Sequence, residues 1–168
     1  MKPRLLISAD IDAYKVLRLE MLNDSPWSFA ASPEDDRAFR PGALDEVVAL
    51  AEHEIVVVDH PDGSGRLACS VGVRREEKIK FRHRASIWGV YTTPTARGNG
   101  LARAAMEHAI GVARSWAGVR AVGLGVSANA PAALAMYESM GFVRWGLEPA
   151  ATCVDGVEYD EIYLSLRL

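Results

Sequence analysis

Residues 88–116, WGVYTTPTARGNGLARAAMEHAIGVARSW, constrain the fold more than any other stretch of the chain. They continue an apolar run, Ile87-Trp88-Gly89-Val90-Tyr91, of the kind that forms a buried strand. Thr92-Thr93-Pro94 ends that strand, because Pro94 has no N–H to give to a sheet ladder. Beyond Arg97-Gly98-Asn99-Gly100-Leu101-Ala102, apolar residues recur at helical spacing: Leu101, Ala105, Ala109, Val112 and Trp116. The order is strand, glycine-bearing turn, helix. The first turn of a helix carries N–H groups without intrahelical partners, at the positive end of the helix dipole. A phosphate can accept several of them at once. Gly98 and Gly100 leave the backbone uncovered for that approach, and Arg97 adds a cation. Taken alone, the turn also fits an ordinary strand–helix connection.

The rest of the sequence bounds the setting. A chain of 168 residues suits one domain, residues 1–168, with a sizeable core. Its net charge of −3 argues against nucleic acid or an anionic membrane as a partner. No apolar run reaches the roughly 18 residues of a membrane helix. The start, Met1-Lys2-Pro3-Arg4-Leu5-Leu6-Ile7, is too briefly apolar for a signal peptide. Cys69 and Cys153 stand far apart, so neither a disulfide framework nor a CxxC metal site is indicated. Both are expected to be buried small hydrophobes in a reducing cytoplasm. The four histidines do not cluster, and no metal is expected.

Taken in order, residues 4–8 form a first strand. A helix follows, capped by Asp10 or Asp12, with Tyr14, Leu17, Met21 and Leu22 on its apolar face. Asn23-Asp24-Ser25-Pro26 breaks it. Trp27 and Phe29 then lie in a loop, packing a corner or touching substrate. Ser32-Pro33-Glu34-Asp35-Asp36 has the look of a helix start, and residues 43–52 continue as helix. Residues 55–58 and 67–73 pair as a hairpin. Residues 74–84 are rich in Lys and Arg, either a solvated loop or a basic rim. After the opening stretch comes a strand over 119–126, whose Gly123 and Gly125 permit a close approach on one face. A helix starts at Ala130-Pro131 and stops at Gly141. Residues 142–147 and 157–168 form a last hairpin around Asp155-Gly156.

Arg97-x-x-Gly100-x-Ala102 after an apolar strand resembles the acetyl-CoA signature of the GCN5-related N-acetyltransferase (GNAT) family. Tyr137-Glu138-Ser139-Met140-Gly141-Phe142, about 35 residues on, resembles that family's Tyr-x-x-x-Gly-Phe helix end. The resemblance implies an α/β (α+β mixed) fold: a mostly antiparallel six- to seven-stranded sheet, helices on both faces, and a central splayed parallel pair. It implies acetyl-CoA as co-substrate and a small-molecule or peptide amine as acceptor, with a homodimer left open. By position, backbone groups of Val90, Tyr91 and Thr92 hold the pantetheine. Arg97, Gly98, Asn99, Gly100, Leu101, Ala102 and Arg103 take the pyrophosphate. Tyr137 protonates or hydrogen-bonds the departing sulfur. The family often has an asparagine seven residues before that tyrosine. Here Asn129 lies eight before, and it either touches the cofactor or caps the helix.

An amine acceptor must lose a proton. With a pKa of about 10.4, roughly one lysine-like amine in 2,500 is neutral at pH 7, so deprotonation costs about 4.6 kcal/mol. Histone-acetylating relatives carry a glutamate early in the strand before the motif, where this chain has Ser86. The remaining candidates for the base are His83, Glu161, Asp160 and Glu34. The expected activity is direct acetyl transfer in a ternary complex. Two rivals are a non-catalytic acyl-CoA sensor and a protein binding another nucleotide at the glycine turn.

Overall fold

The structure is a computed structural model describing residues 2–168. Seven strands form one sheet in the order β1-β2-β3-β4-β5-β7-β6. They are β1 (Arg4–Leu5), β2 (His53–Asp59), β3 (Leu67–Arg75), β4 (Arg84–Thr92), β5 (Ala121–Ser127), β6 (Val143–Val154) and β7 (Val157–Arg167). All neighbours are antiparallel except β4 and β5. The helices are α1 (Ile11–Asp24), α2 (Ala43–Ala49), α3 (Leu101–Ser115) and α4 (Pro131–Ser139).

The β-branched run in β2 shows why both faces of the sheet are covered. Ile55 and Val57 pack with Tyr14, Leu17 and Met21 of α1. Val56 and Val58 face the other way, toward Ala105, Met106 and Ala109 of α3. Period-two alternation thus places neighbouring residues in two different cores, and all four are buried. Much of the buried face of α3 is alanine, which brings that helix close to the sheet.

Two features of β4 open the sheet. It pairs with β5 at Arg84↔Ala121, Ala85↔Val122 and Ser86↔Gly123, and not beyond. On its other side, Gly72 of β3 faces Trp88 while Ser70 faces Tyr91, so β4 carries one extra residue there. This is a β-bulge, and Gly89 within it has φ +59°, a conformation suited to glycine. Past the bulge, residues 87–92 of β4 and 124–127 of β5 diverge. The expected splayed pair is therefore present.

Several local expectations are corrected. The first strand stops at Leu5, and residues 8–10 form a 3-10 turn. Asp10 stands at the N-cap of α1, as one of the two expected residues, but its carboxylate makes no cap hydrogen bond and accepts instead from Arg4 and from the Ile7 N–H. No helix starts at Ser32. Asp35 closes a turn on the Ser32 N–H (2.7 Å), and a 3-10 helix, Arg37–Phe39, follows once Asp36 has capped the Ala38 N–H (2.7 Å). Asp35 and Asp36 serve the loop because short acidic side chains reach their own backbone more readily than they sustain a helix. The last hairpin is longer than expected, with β6 reaching Val154 through a bulge after Glu148. Cys153 is exposed on that outer strand rather than buried, whereas Cys69 is buried.

Candidate functional site

The divergence of β4 and β5 leaves a cleft of about 580 Å³ through the sheet, within the usual range for a small-molecule site. One wall is β4 from Ile87 to Thr92, the other β5 from Leu124 to Ser127. Beyond Ser86, the edge of β4 that faces β5 carries no strand. Val90, Tyr91 and Thr92 lie on this wall, as expected. The Tyr91 side chain turns away from the α3 core, its hydroxyl donating to Glu20 of α1 (3.0 Å). The Thr92 Oγ1 is buried without a partner.

One end of the cleft is the glycine turn. Gly98 and Gly100 have φ of +79° and +73°, and a Cβ on either would meet no protein atom within 4 Å. Packing therefore does not demand glycine there; the left-handed backbone does, and the space beyond stays open. The N–H groups of residues 98–103 find no protein acceptor among the described residues; the first bond of α3 is Ala104 N–H to Gly100 O (3.0 Å). Gly98, Gly100, Leu101, Ala102 and Arg103 line the cleft. A run of unpaired donors at a helix start is the arrangement to which anions bind.

The side chains of Arg97 and Asn99 are both held by groups of the protein itself. Arg97 lines the cleft, but its guanidinium donates to the Thr92 carbonyl (3.0 Å) and to Asp24, and lies over the Tyr91 ring (5.6 Å). Burial opposes ionisation of Asp24, yet Arg97 and Ser25 outweigh it and hold that carboxyl below the usual range. The Asn99 amide folds back onto the carbonyls of Ala96 (3.2 Å) and Arg97 (3.3 Å). Both side chains brace the turn. Asn129 is exposed, is not on the cleft wall and does not cap α4, whose N-cap is Ala130. The small residues Pro131, Ala132 and Ala133 at the start of α4 line the cleft instead.

Tyr137 is brought to the same cleft. It is 4% exposed, its ring packs against Phe142 (6.0 Å), and its hydroxyl makes no hydrogen bond to the described residues. Burial, with the nearby Cys69 adding to it, pushes the phenol well above its ordinary value. Burial likewise pushes the Cys69 thiol up to about 11, which keeps it protonated and unreactive.

Among the base candidates, His83 lies by the Arg120 N–H, away from the cleft, and Asp160 accepts from Ala150 N (2.9 Å). Glu34 sits in the exposed turn. Ser86 donates to Glu76. Glu161 is placed otherwise. On β7, next to β5, its carboxylate lies over Gly125, so that a Cβ on Gly125 would be 2.1 Å from Oε1. Gly125 lines the cleft, on the sheet face opposite Tyr137. Tyr163 lies 3.0 Å from Glu161 and 2.5 Å from Glu148, which is exposed. The hydrogen bond to Glu148, then burial, then Glu161 raise the Tyr163 phenol far above its usual range. One phenolic proton is thus shared between two carboxylates.

Sequence reading named Glu161 as one base candidate and Gly125 as a place of close approach, but missed the link through Tyr163 to Glu148, the Glu20–Tyr91 contact and the Asp24–Arg97 pair, since each joins residues distant in the chain. Of the aromatic pair, Phe29 lines the cleft and meets Tyr91 edge-on (6.5 Å), whereas Trp27 stacks on Tyr159 of β7 (6.3 Å). The basic loop is partly neutralised, because Arg75 and Arg82 both pair with Glu52.

Residues 16–142, which contain the parted strands, the glycine turn and Tyr137, match the model of the acetyltransferase (GNAT) family. The chain belongs to this family. A mycothiol acetyltransferase of Salinispora tropica is 31% identical over 137 residues, 65% of this chain; the match spans 44% of that relative's length. Two solved structures share the GNAT fold at low identity. One is an acetyltransferase of the GNAT family from Streptococcus pneumoniae, with TM-score 0.83, 16% identity, and 99% of this chain and 98% of that one covered. The other is an acetyltransferase from Salmonella typhimurium described with its cofactor acetyl-CoA, with TM-score 0.83, 20% identity, and 100% and 94% covered. Among the described residues no helix is long and apolar enough to cross a membrane.

Proposed function

We propose that this GNAT protein is an acetyl-CoA-dependent N-acetyltransferase, residues 1–168 forming one catalytic unit in the cytoplasm, that transfers acetyl to a primary amine by direct attack in a ternary complex. The observation that carries the reading is the parted β4–β5 cleft, with free N–H groups of residues 98–103 at one end and the unpartnered Tyr137 hydroxyl along its wall. Acetyl-CoA supplies the thioester-bound acetyl group when bound. The residues present fit it: the turn offers amide donors for a pyrophosphate, and the open edge of β4 at Val90, Tyr91 and Thr92 offers backbone groups for an extended amide-bearing arm.

Tyr137 holds its proton throughout neutral pH. A thiol of ordinary pKa, about 8.5, is a stronger acid than this raised phenol. Full transfer from Tyr137 to a thiolate therefore runs uphill, and its role is to donate a hydrogen bond to the charge that develops on sulfur. On the opposite face of the sheet, Glu161 is the base. It takes the amine's proton and passes it through the Tyr163 hydroxyl to Glu148 at the surface. The two proton-handling groups thus sit on the two sides of the gap. Asn129 is assigned no cofactor contact, and Arg97 acts by bracing the turn.

The test is release of free thiol from acetyl-CoA over a panel of amines, alongside calorimetry with acetyl-CoA, ATP and NAD. Turnover with at least one amine is expected. An inert panel with acetyl-CoA tightly bound would point to a sensor, and no acetyl-CoA binding would end the reading.

A further inference from the structure

The two faces of the sheet are not equally covered. On the face that packs against α1, the core takes residues from β2, β3 and β4 and none from β5, β6 or β7. Alternation sends Val122, Leu124 and Leu164 into the α3 core. It leaves Ala121, Gly123 and Gly125 of β5 on the bare side, beside Tyr163, Ser165 and Arg167 of β7. A floor of small residues therefore runs along β5 from the cleft, at Gly125, down to Ala121.

A pocket of about 340 Å³ lies at the far end of this floor, lined by His83, Arg84, Ala121, Trp145, Ser165 and Arg167. Strand register explains its composition. Arg84 of β4 and Arg167 of β7 both stand opposite Ala121, so two arginines flank one small residue on one face. Arg84 leans toward the cleft, its Nη2 4.0 Å from where a Cβ on Gly123 would be. Trp145, 62% exposed and stacked on Tyr163 (5.4 Å), forms a side wall. No carboxylate lines the pocket, and none of its three basic side chains has an ion-pair partner among the described residues. In the same basic stretch of chain, Arg75 and Arg82 are both held by Glu52. Glu76, whose N–H donates to the Arg84 carbonyl (3.0 Å), has its carboxylate taken by Ser86. Two guanidinium groups gathered over one alanine repel each other, and an anion seated between them turns that repulsion into attraction.

The other end of the floor carries the opposite charge, because the Glu161 carboxylate lies over Gly125. Gly123, which Arg84 reaches, is two residues from Gly125, and Ala121 is four, or about 7 and 13 Å along a strand. We propose that the pocket binds the far end of the acceptor, which then carries an anionic group such as a carboxylate about 7–13 Å from the amine that is acetylated. The proposal rests on the transferase reading, with Glu161 at the amine, and names the substrate class. Arg84 and Arg167 select the acceptor and touch no reacting atom. A simple alkylamine, or an amino acid whose carboxylate stands beside its amine, leaves the pocket empty.

Glycine oligomers of graded length, from the single residue upward, measure the distance, since an extended chain spans about 3.5 Å per residue. Each is compared as the free acid and as the C-terminal amide, in thiol release from acetyl-CoA and in calorimetry with and without CoA. At lengths of about two to four residues the acid should exceed its amide about 5- to 25-fold in kcat/KM and in affinity, each exposed ion pair contributing a factor of up to about five. Glycine itself should show no such excess, and salt near roughly 1 M should shrink it. Arg84→Gln and Arg167→Gln should each lower the ratio several-fold and together remove it, with acetyl-CoA affinity unchanged. Both side chains are exposed, so these variants keep the fold. The proposal is overturned if no acid exceeds its amide, if glycine shows the full excess, or if the ratio survives the double variant. Failure of acetyl-CoA to bind removes the transferase reading, while the acid-to-amide ratio measured without CoA still decides the role of the two arginines.

Discussion

Gly125→Ala tests whether the carboxylate beside the cleft does the proton transfer. A methyl at this position would lie 2.1 Å from Glu161 Oε1, 2.7 Å from Cδ and 3.2 Å from Cγ. Side-chain carbons do not approach so closely, so the Glu161 carboxylate must swing aside by about 1 Å or more. The atoms that move are the end of a flexible side chain, and the stability cost is small. Losing the Tyr163–Glu161 hydrogen bond (3.0 Å) costs about 1 kcal/mol. Replacing glycine in a strand regains about 0.4–1 kcal/mol from the unfolded chain. The melting temperature should therefore stay within about 4 °C of wild type. Turnover should fall by about 100-fold or more at pH 7, the usual contribution of a positioned base. The assay is thiol release with the best amine of the panel, and calorimetry should find acetyl-CoA affinity nearly unchanged. Glu161→Gln should match the loss, and the double variant should be no worse than either single one, because both remove the same group. Wild-type turnover in Gly125→Ala, or losses that multiply in the double variant, would refute the assignment.

Tyr137→Phe should lower turnover about 10- to 100-fold, by the same factor from pH 6 to pH 9, because the raised phenol stays protonated over that range; a rate-versus-pH profile equal to wild type would remove Tyr137 from the mechanism. Gly100→Glu places a Cβ on a backbone with φ +73° and a negative charge at the amide cradle, so acetyl-CoA binding followed by calorimetry should be lost. Tyr14 is fully buried, and burial pushes its phenol up to about 12, against about 10 unfolded. Its folded pKa is the higher one, so stability is whole below pH 10 and falls by about 2 kcal/mol as pH rises to 12; Tyr14→Phe should lessen that fall in denaturant titrations.

How much was legible in the sequence follows from the range of the forces involved. Strand β4, the glycine turn and helix α3 were readable because proline, glycine and apolar period act within a few residues. The same holds for the β2–β3 hairpin and for Tyr137 with Gly141-Phe142. Ser32 misled because its capping pattern suits a turn as well as a helix, and tertiary packing chose the turn once Asp36 was drawn to Arg18. Asn129 misled because it falls in the turn before α4, ahead of the N-cap residue Ala130, where its exposed side chain is off the cleft wall. The chain alone thus determined the glycine turn with its run of free amides, since these are consecutive residues. Only the tertiary structure decided which distant side chains gather near the rest of the cleft. Glu161 lies over Gly125 of the cleft wall from the neighbouring strand, Arg97 is drawn to Asp24, and Arg18 is buried beside Gly89. Charges held by partners 18 to 73 residues away, as Arg18 is by Asp36 and Arg97 by Asp24, leave no local pattern to read.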